Sequence, residues 1–223
     1  MGRELGSRPG FLREEENAMG VCYIFGAGSF YGLHTRPGSG DLVIAADGGY
    51  ALCREAGVTP DLVIGDFDSL GEVPAGENVV RLPVETDDTD TLAAIRLGLD
   101  RGYRDIRLYG GTGGDRPEHT LANLQCLLFL TEHGADGYLY DQASVITAVK
   151  NGTLALSAGY RGNLSVFTIS GPARGVTIRG LKYGLEDGIL TPELPLGVSN
   201  SFTGAAAEIT ARDGALLVWY DLQ

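Results

Sequence analysis

The chain has 223 residues, 43% of them apolar and 21% charged, with a formal net charge of −12. That length allows one large domain or two small ones, each with its own core. The negative balance lacks the basic footprint that a nucleic-acid partner requires, and no apolar run approaches the ~20 residues of a membrane-spanning helix.

Residues 1–18 hold glycine, arginine, proline and the run Glu14-Glu15-Glu16, with no apolar core of a signal peptide. They are expected to be a disordered extension, with Met19 as an alternative start. From Val21 onward short apolar runs alternate with helical patterns. Val21–Phe25 ends at Gly26-Ala27-Gly28, Leu42–Ala46 at Asp47-Gly48-Gly49, Leu62–Ile64 at Gly65-Asp66, and Ile106–Tyr109 at Gly110-Gly111. Such runs are the signature of buried parallel strands stopping at a ligand crevice. Helices are predicted over Tyr50–Ala56, Thr91–Arg101 and His119–His133, each closed by a glycine.

After about Ser144 the pattern becomes strand-like: Val145–Val149, Thr153–Leu156, Leu164–Ile169, Val176–Ile178, Ala207–Thr210 and Leu216–Tyr220. Asn151-Gly152 and Asp213-Gly214 read as hairpin turns between them. The fold class expected is α/β. It comprises a doubly wound, Rossmann-like parallel-sheet domain over residues 19–143 and a small antiparallel β-sandwich over residues 144–223. Cys22, Cys53 and Cys126 are an odd number without metal-like spacing, and are expected to be reduced, buried thiols of a cytoplasmic protein.

Acidic side chains gather where the strands end. Asp66 and Asp68, two residues apart, share one side of an extended segment and repel unless a cation or a proton intervenes. Asp47 follows a strand, where turn chemistry is its other reading. Asp87, Asp88 and Asp90 open a helix, where capping and the helix dipole offer a second reason for negative charge. Together these oxygens suit Mg²⁺ held by a few carboxylates plus substrate phosphates.

A second cluster lies in Tyr109-Gly-Gly-Thr-Gly-Gly-Asp-Arg-Pro-Glu-His-Thr-Leu-Ala-Asn123. Glycines let the backbone approach phosphates, and the following helix points its N-terminus at them. Arg116 can fork onto phosphate oxygens. His119 and Asn123, four apart, share a helix face; each also has a structural reading, as a hydrogen-bonding or bracing group. The Rossmann glycine pattern is incomplete after Gly28, and no Walker A sequence occurs.

These motifs together resemble the thiamine diphosphokinase family, from about Val21 to the C-terminus. The resemblance rests on Ala46-Asp-Gly-Gly49, Pro60-Asp-Leu-Val-Ile-Gly-Asp-Phe-Asp-Ser69, Asp87-Asp-Thr-Asp90, Arg116–Leu124, Gly180-Leu-Lys-Tyr183 and Val198-Ser-Asn-Ser-Phe202. It implies diphosphate transfer from Mg-ATP to thiamine, in a homodimer with thiamine near the interface. It implies Asp66, Asp68 and Asp90 as metal ligands, with Arg116 beside them in catalysis. It further implies Asp47, Asp87, Thr89, Gly113, Gly114, His119 and Asn123 around ATP, and Ser199, Asn200 and Trp219 around thiamine. For Trp219, core packing is the competing role. The chain departs from the family pattern at Thr86, Asp115 and Glu118, which bears on local ATP contacts. The competing functions are a diphosphokinase acting on a pterin-like alcohol and a non-catalytic nucleotide- or thiamine-binding regulator.

Overall fold

The computed structural model describes residues 20–65, 78–81 and 87–223. They form an α/β structure whose compact units divide between Thr147 and Ala148. Among the described residues no helix is long and apolar enough to cross a membrane.

The first unit contains β1 (Val21–Phe25), β2 (Leu42–Ala46), α1 (Gly49–Ala56), β3 (Leu62–Gly65), β4 (Val79–Arg81), α2 (Asp90–Asp100), β5 (Asp105–Tyr109), α3 (Pro117–Glu132) and β6 (Asp136–Tyr140). The strands lie in the order β6-β5-β1-β2-β3-β4, and every pair is parallel. Every residue of β1 and β2 is buried, which is why these runs are continuously apolar rather than alternating. One face carries α1: Phe25, Val43, Ala45 and Tyr109 pack with Cys53 of that helix. On the other face α2 buries Ala94, Ile95, Gly98 and Leu99, with Gly98 directly over Cys22. Each fully buried isoleucine of this core, such as Ile24 or Ile44, contributes about 1.5–3 kcal/mol.

Two strands go beyond the sequence expectation. β4 is only three residues long. β6 has Gly137 at its second position, and glycine weakens a strand pattern. The packing explains that glycine: a Cβ there would come within 2.5 Å of Leu130 and 2.9 Å of Leu127 on α3.

The second unit is antiparallel. Its elements are β7 (Ser144–Leu156, which begins in the first unit), β8 (Asn163–Phe167), β9 (Ala173–Arg179), β10 (Leu185–Leu190), β11 (Asn200–Ser201) and β12 (Ala207–Asp221). β10 pairs with β9 and β9 with the first half of β12, whereas β8 pairs with the second half of β12. The two expected hairpin turns are absent, because β7 runs through Asn151-Gly152 and β12 through Asp213-Gly214. The positive φ of Asn151 (46°) and Gly214 (101°) marks irregularities inside long strands. These face each other: the Gly214 N–H donates to Asn151 Oδ1 at 2.9 Å. A local turn signal was satisfied by a cross-strand bond instead.

All three cysteines are free and buried. Burial pushes the Cys22 and Cys53 thiols up to about 12 and Cys126 up to about 11. Iodoacetamide at pH 8 is therefore expected to leave the native protein almost unlabelled and to label all three thiols after denaturation. The folded state holds these thiols neutral beyond the ordinary value of 9.0. Their contribution to stability is thus complete below pH 9 and declines as pH rises toward 12. A pH series of denaturation midpoints measures that decline.

Candidate active site

Strand order reverses between β1 and β5, and at such a point the loops leaving two adjacent parallel strands diverge and open a crevice. Here the two loops are stitched together before they part. Gly26 N–H donates to Tyr109 O at 2.8 Å, Gly28 N–H to Gly110 O at 2.7 Å and Ser29 N–H to Thr112 O at 2.8 Å. Position 28 admits only glycine, since a Cβ would lie 2.5 Å from the Thr112 carbonyl oxygen. Gly26-Ala27-Gly28 is an incomplete dinucleotide fingerprint, yet Ala27 and Gly28 line the cavity that results.

That cavity has a volume of about 560 Å³, within the usual range for small-molecule sites. It brings together Asp47, Thr89, Asp90, Gly113, Gly114, Arg116, His119 and Asn123 from three separate stretches of sequence. Asp115, Thr91 and Gly110-Gly111 also line it. Asp87 stands exposed in the turn before α2 and is not part of the lining. Asp66, Asp68 and Thr86 lie outside the described residues, as do residues 66–77 generally.

Asp47 is held with φ at 46°, a left-handed conformation unusual for a residue with a side chain. Its N–H donates to Ile64 O at 2.7 Å, and its carbonyl accepts from Tyr50 N–H at 3.2 Å. The end of β2 is thereby tied to β3 and turned into α1, with the half-buried carboxylate at the cavity. Backbone strain of about 1–3 kcal/mol of this kind gathers at functional sites.

At α2 the four residues of the acidic motif divide their work. Thr89 is the N-cap, its hydroxyl accepting from Leu92 N–H at 3.2 Å. Asp88 turns to Arg96, whose Nε donates at 2.7 Å, and Arg96 in turn lies 4.8 Å from the Phe129 ring centroid on α3. Asp90, the first helical residue, is left on the cavity side.

The same cavity is lined by the end of the turn Thr112–Gly114, in which Gly113 (φ 64°) and Gly114 (φ 77°) are both left-handed. α3 then starts at Pro117, a residue suited to a position where the N–H has no helical partner. Arg116 is 70% exposed and its Nε donates to Glu118 at 2.9 Å. The Glu118 carboxyl is held below its ordinary range, first by its own backbone N–H and then by Arg116. His119 is exposed, one turn before buried Asn123. Asn123 Nδ2 donates to Gly111 O at 2.8 Å, so the amide has both a bracing role and a place in the lining. Asn123→Ala removes that donor from a buried carbonyl, and is expected to cost about 1–3 kcal/mol of stability by chemical denaturation.

In the second unit the residues expected around thiamine separate into two kinds. Trp219 lies opposite Ser165 in the β12–β8 pairing, and Ser199 N–H donates to Ser165 Oγ at 3.0 Å. Ser199 is exposed and left-handed, with φ at 61°; Trp219 is half-buried. Asn200 is buried and braces the chain, its Oδ1 accepting from Tyr183 N–H at 2.9 Å and its Nδ2 donating to Tyr183 O at 2.7 Å. Lys182 N–H donates to Ser201 O at 2.9 Å. The segments Gly180–Tyr183 and Val198–Phe202, distant in sequence, are thus zipped together.

Comparison with known proteins agrees with this arrangement over most of the chain. Residues 38–139 match the family described as "Thiamin pyrophosphokinase, catalytic domain". Residues 153–216 match "Thiamin pyrophosphokinase, vitamin B1 binding domain". The thiamine pyrophosphokinase of Bacillus subtilis is 26% identical over 184 residues, spanning 79% of this chain and 86% of that protein. Its crystal structure superposes with a TM-score of 0.78 at 23% identity, covering 92% of this chain and 100% of the other. The thiamin pyrophosphokinase from Geobacillus thermodenitrificans gives a TM-score of 0.75 at 25% identity, covering 91% and 98% of the two chains. The yeast thiamin pyrophosphokinase structure, at 16% identity, gives 0.68 over 95% of this chain and 88% of its own. The chain belongs to the thiamin pyrophosphokinase family.

Proposed function

We propose that this chain is a thiamine diphosphokinase, which moves the diphosphate of Mg-ATP onto the hydroxyethyl group of thiamine and releases AMP. The observation that carries this is a cavity lined together by Asp47, Asp90, the Gly113-Gly114 turn and the start of α3. Carboxylates and a phosphate-type glycine cradle lining one cavity suit a polyphosphate that arrives with a cation.

The donor set fits Mg²⁺. Asp47 and Asp90 offer hard carboxylate oxygens in one cavity; in sequence Asp66 follows directly on the end of β3, which is bonded to Asp47, and Asp68 comes two residues later. Asp66, Asp68 and Asp90 would hold the ion, with Asp47 in the same cavity as Asp90 and Asp87 exposed in the turn that precedes it. Bound there, Mg²⁺ neutralises charge on the phosphate oxygens. Arg116, on the rim, adds charge-assisted bonds to the same oxygens, while Gly113, Gly114, Thr89, His119 and Asn123 set the position of the triphosphate. In the transfer the thiamine hydroxyl oxygen bonds to the β-phosphorus of ATP, and the bond from that phosphorus to the α,β-bridging oxygen breaks. The hydroxyl proton passes to a carboxylate, for which Asp68 is our assignment. Positioning and fixed electrostatics supply most of the rate.

The finer architecture we read as a doubly wound nucleotide domain followed by a β-sandwich that receives thiamine, with Ser199 and Trp219 beside Ser165 and Asn200 as their brace. An aromatic face suits the cationic thiazolium ring, and the net charge of −12 favours its approach. The exposed Leu194, Leu196 and Val198 support a homodimer, and the reduced cysteines a cytoplasmic location. The test is incubation of the purified protein with thiamine, ATP and Mg²⁺. Equal amounts of thiamine diphosphate and AMP, abolished by chelation, are expected. ADP with thiamine monophosphate, or turnover only with a pterin-like alcohol, would overturn the reading.

A further inference from the structure

The loop from Gly26 to Asp41 carries none of the acidic or glycine-turn motifs, yet it is built as a rigid arm beside the cavity. Its middle is anchored at Thr35. Arg107 Nη1, from a buried side chain, donates to Thr35 Oγ1 at 2.8 Å, and Thr35 N–H donates to Tyr109 OH at 3.3 Å. Tyr23 OH donates to Thr35 Oγ1 at 3.3 Å. Tyr23 and Tyr109 are themselves stacked, with ring centroids 6.4 Å apart. A loop tied at this point to two sheet strands cannot swing freely, so its earlier residues are held in register with β5.

Ser29 follows directly on Gly28, the last residue of that arm in the cavity lining, and bonds to Gly114 on the other side of the same lining. Its N–H is bonded to Thr112 O, and its Oγ accepts from Gly114 N–H at 3.2 Å. A Cβ at Gly113 would lie only 2.5 Å from the same Oγ. Serine therefore grips both ends of the left-handed turn. The grip has a chemical consequence. Gly114 N–H, which in a glycine-rich cradle points at a phosphate, is spent on Ser29 Oγ. The Ser29 hydroxyl keeps one proton to give, and among the described residues no acceptor takes it. An oxygen that accepts from a backbone amide becomes a better donor in turn.

We infer that Ser29 is a nucleotide-binding residue: its hydroxyl sets the Gly113-Gly114 turn and relays the Gly114 hydrogen bond to a phosphate oxygen of ATP. The inference rests on the proposed ATP site and is tested by ATP binding, which needs no turnover. Titration calorimetry of Mg-ATP into Ser29→Ala is expected to show Kd raised about ten- to hundredfold, the scale of one hydrogen bond at an anion. KM for thiamine and the melting temperature should stay at wild-type values. Ser29→Thr, which keeps the hydroxyl, should recover Kd to within about twofold of wild type. Wild-type Kd in Ser29→Ala would overturn the inference. So would a loss that threonine does not rescue, or one accompanied by an equal loss of thiamine affinity and of melting temperature. Absence of ATP binding by the wild type would instead sink the ATP site itself.

Discussion

Asp90→Asn is expected to lower kcat about 10²- to 10³-fold while leaving the protein folded, the scale for removing one preorganised electrostatic group from a reaction centre. Two roles compete for this carboxylate. It is the first residue of α2, where negative charge favours the helix dipole by about 0.3–1 kcal/mol. It also lines the cavity together with the glycine turn. A helix role alone predicts a small fall in denaturation midpoint and near-normal turnover. A site role predicts collapse of kcat with the same small stability change, and a higher Mg²⁺ concentration for half-maximal rate. Thr89 already caps the helix through Leu92 N–H, so Asn at position 90 leaves the cap intact. Steady-state rates across a Mg²⁺ series, with thermal melts alongside, separate the two.

Arg116→Ala is expected to raise KM for ATP about tenfold to a hundredfold, the loss of charge-assisted bonds to a phosphate, with KM for thiamine little changed. Arg116→Lys should recover only part of this, because an ammonium cannot fork onto two oxygens. In the structure Arg116 is occupied by Glu118, but both side chains are well exposed, at 70% and 62%. Exposed ion pairs of this kind are weak, so ATP displaces it readily. Glu118→Gln therefore serves as the control, with KM for ATP unchanged or slightly lower. Equal KM values for ATP in Arg116→Ala and wild type would remove Arg116 from the site.

What the sequence made legible follows from how local each signal is. β1, β2 and β5 are buried on both faces and so are written as unbroken apolar runs. The helices were readable from their glycine stops and, for α3, from Pro117. β6 escaped because Gly137 answers to Leu127 and Leu130 on α3, a tertiary demand without a local trace. Asn151-Gly152 and Asp213-Gly214 misled for the converse reason. Each pair has the composition of a turn, but the two meet across β7 and β12 and satisfy one another.

The site shows the same division. Asp47, Asp90, Arg116, His119 and Asn123 carry their chemistry in their side chains, which the sequence displays, and they line one cavity. For Asn200 the sequence shows a side-chain amide but not its partner, the Tyr183 backbone, a bond between segments 17 residues apart in sequence. Ala27, Gly28 and Ser29 depend on β1 lying beside β5, an adjacency that no spacing within either segment reveals. Asp66 and Asp68 stand on motif alone, beyond the described residues.

Two phosphorus atoms leave ATP together in the proposed transfer. It is tested most directly by running the reaction with thiamine, Mg²⁺ and ATP labelled at the β-phosphorus. The label is expected in thiamine diphosphate, in step with unlabelled AMP. Label retained in ADP, with thiamine monophosphate as the other product, would contradict it.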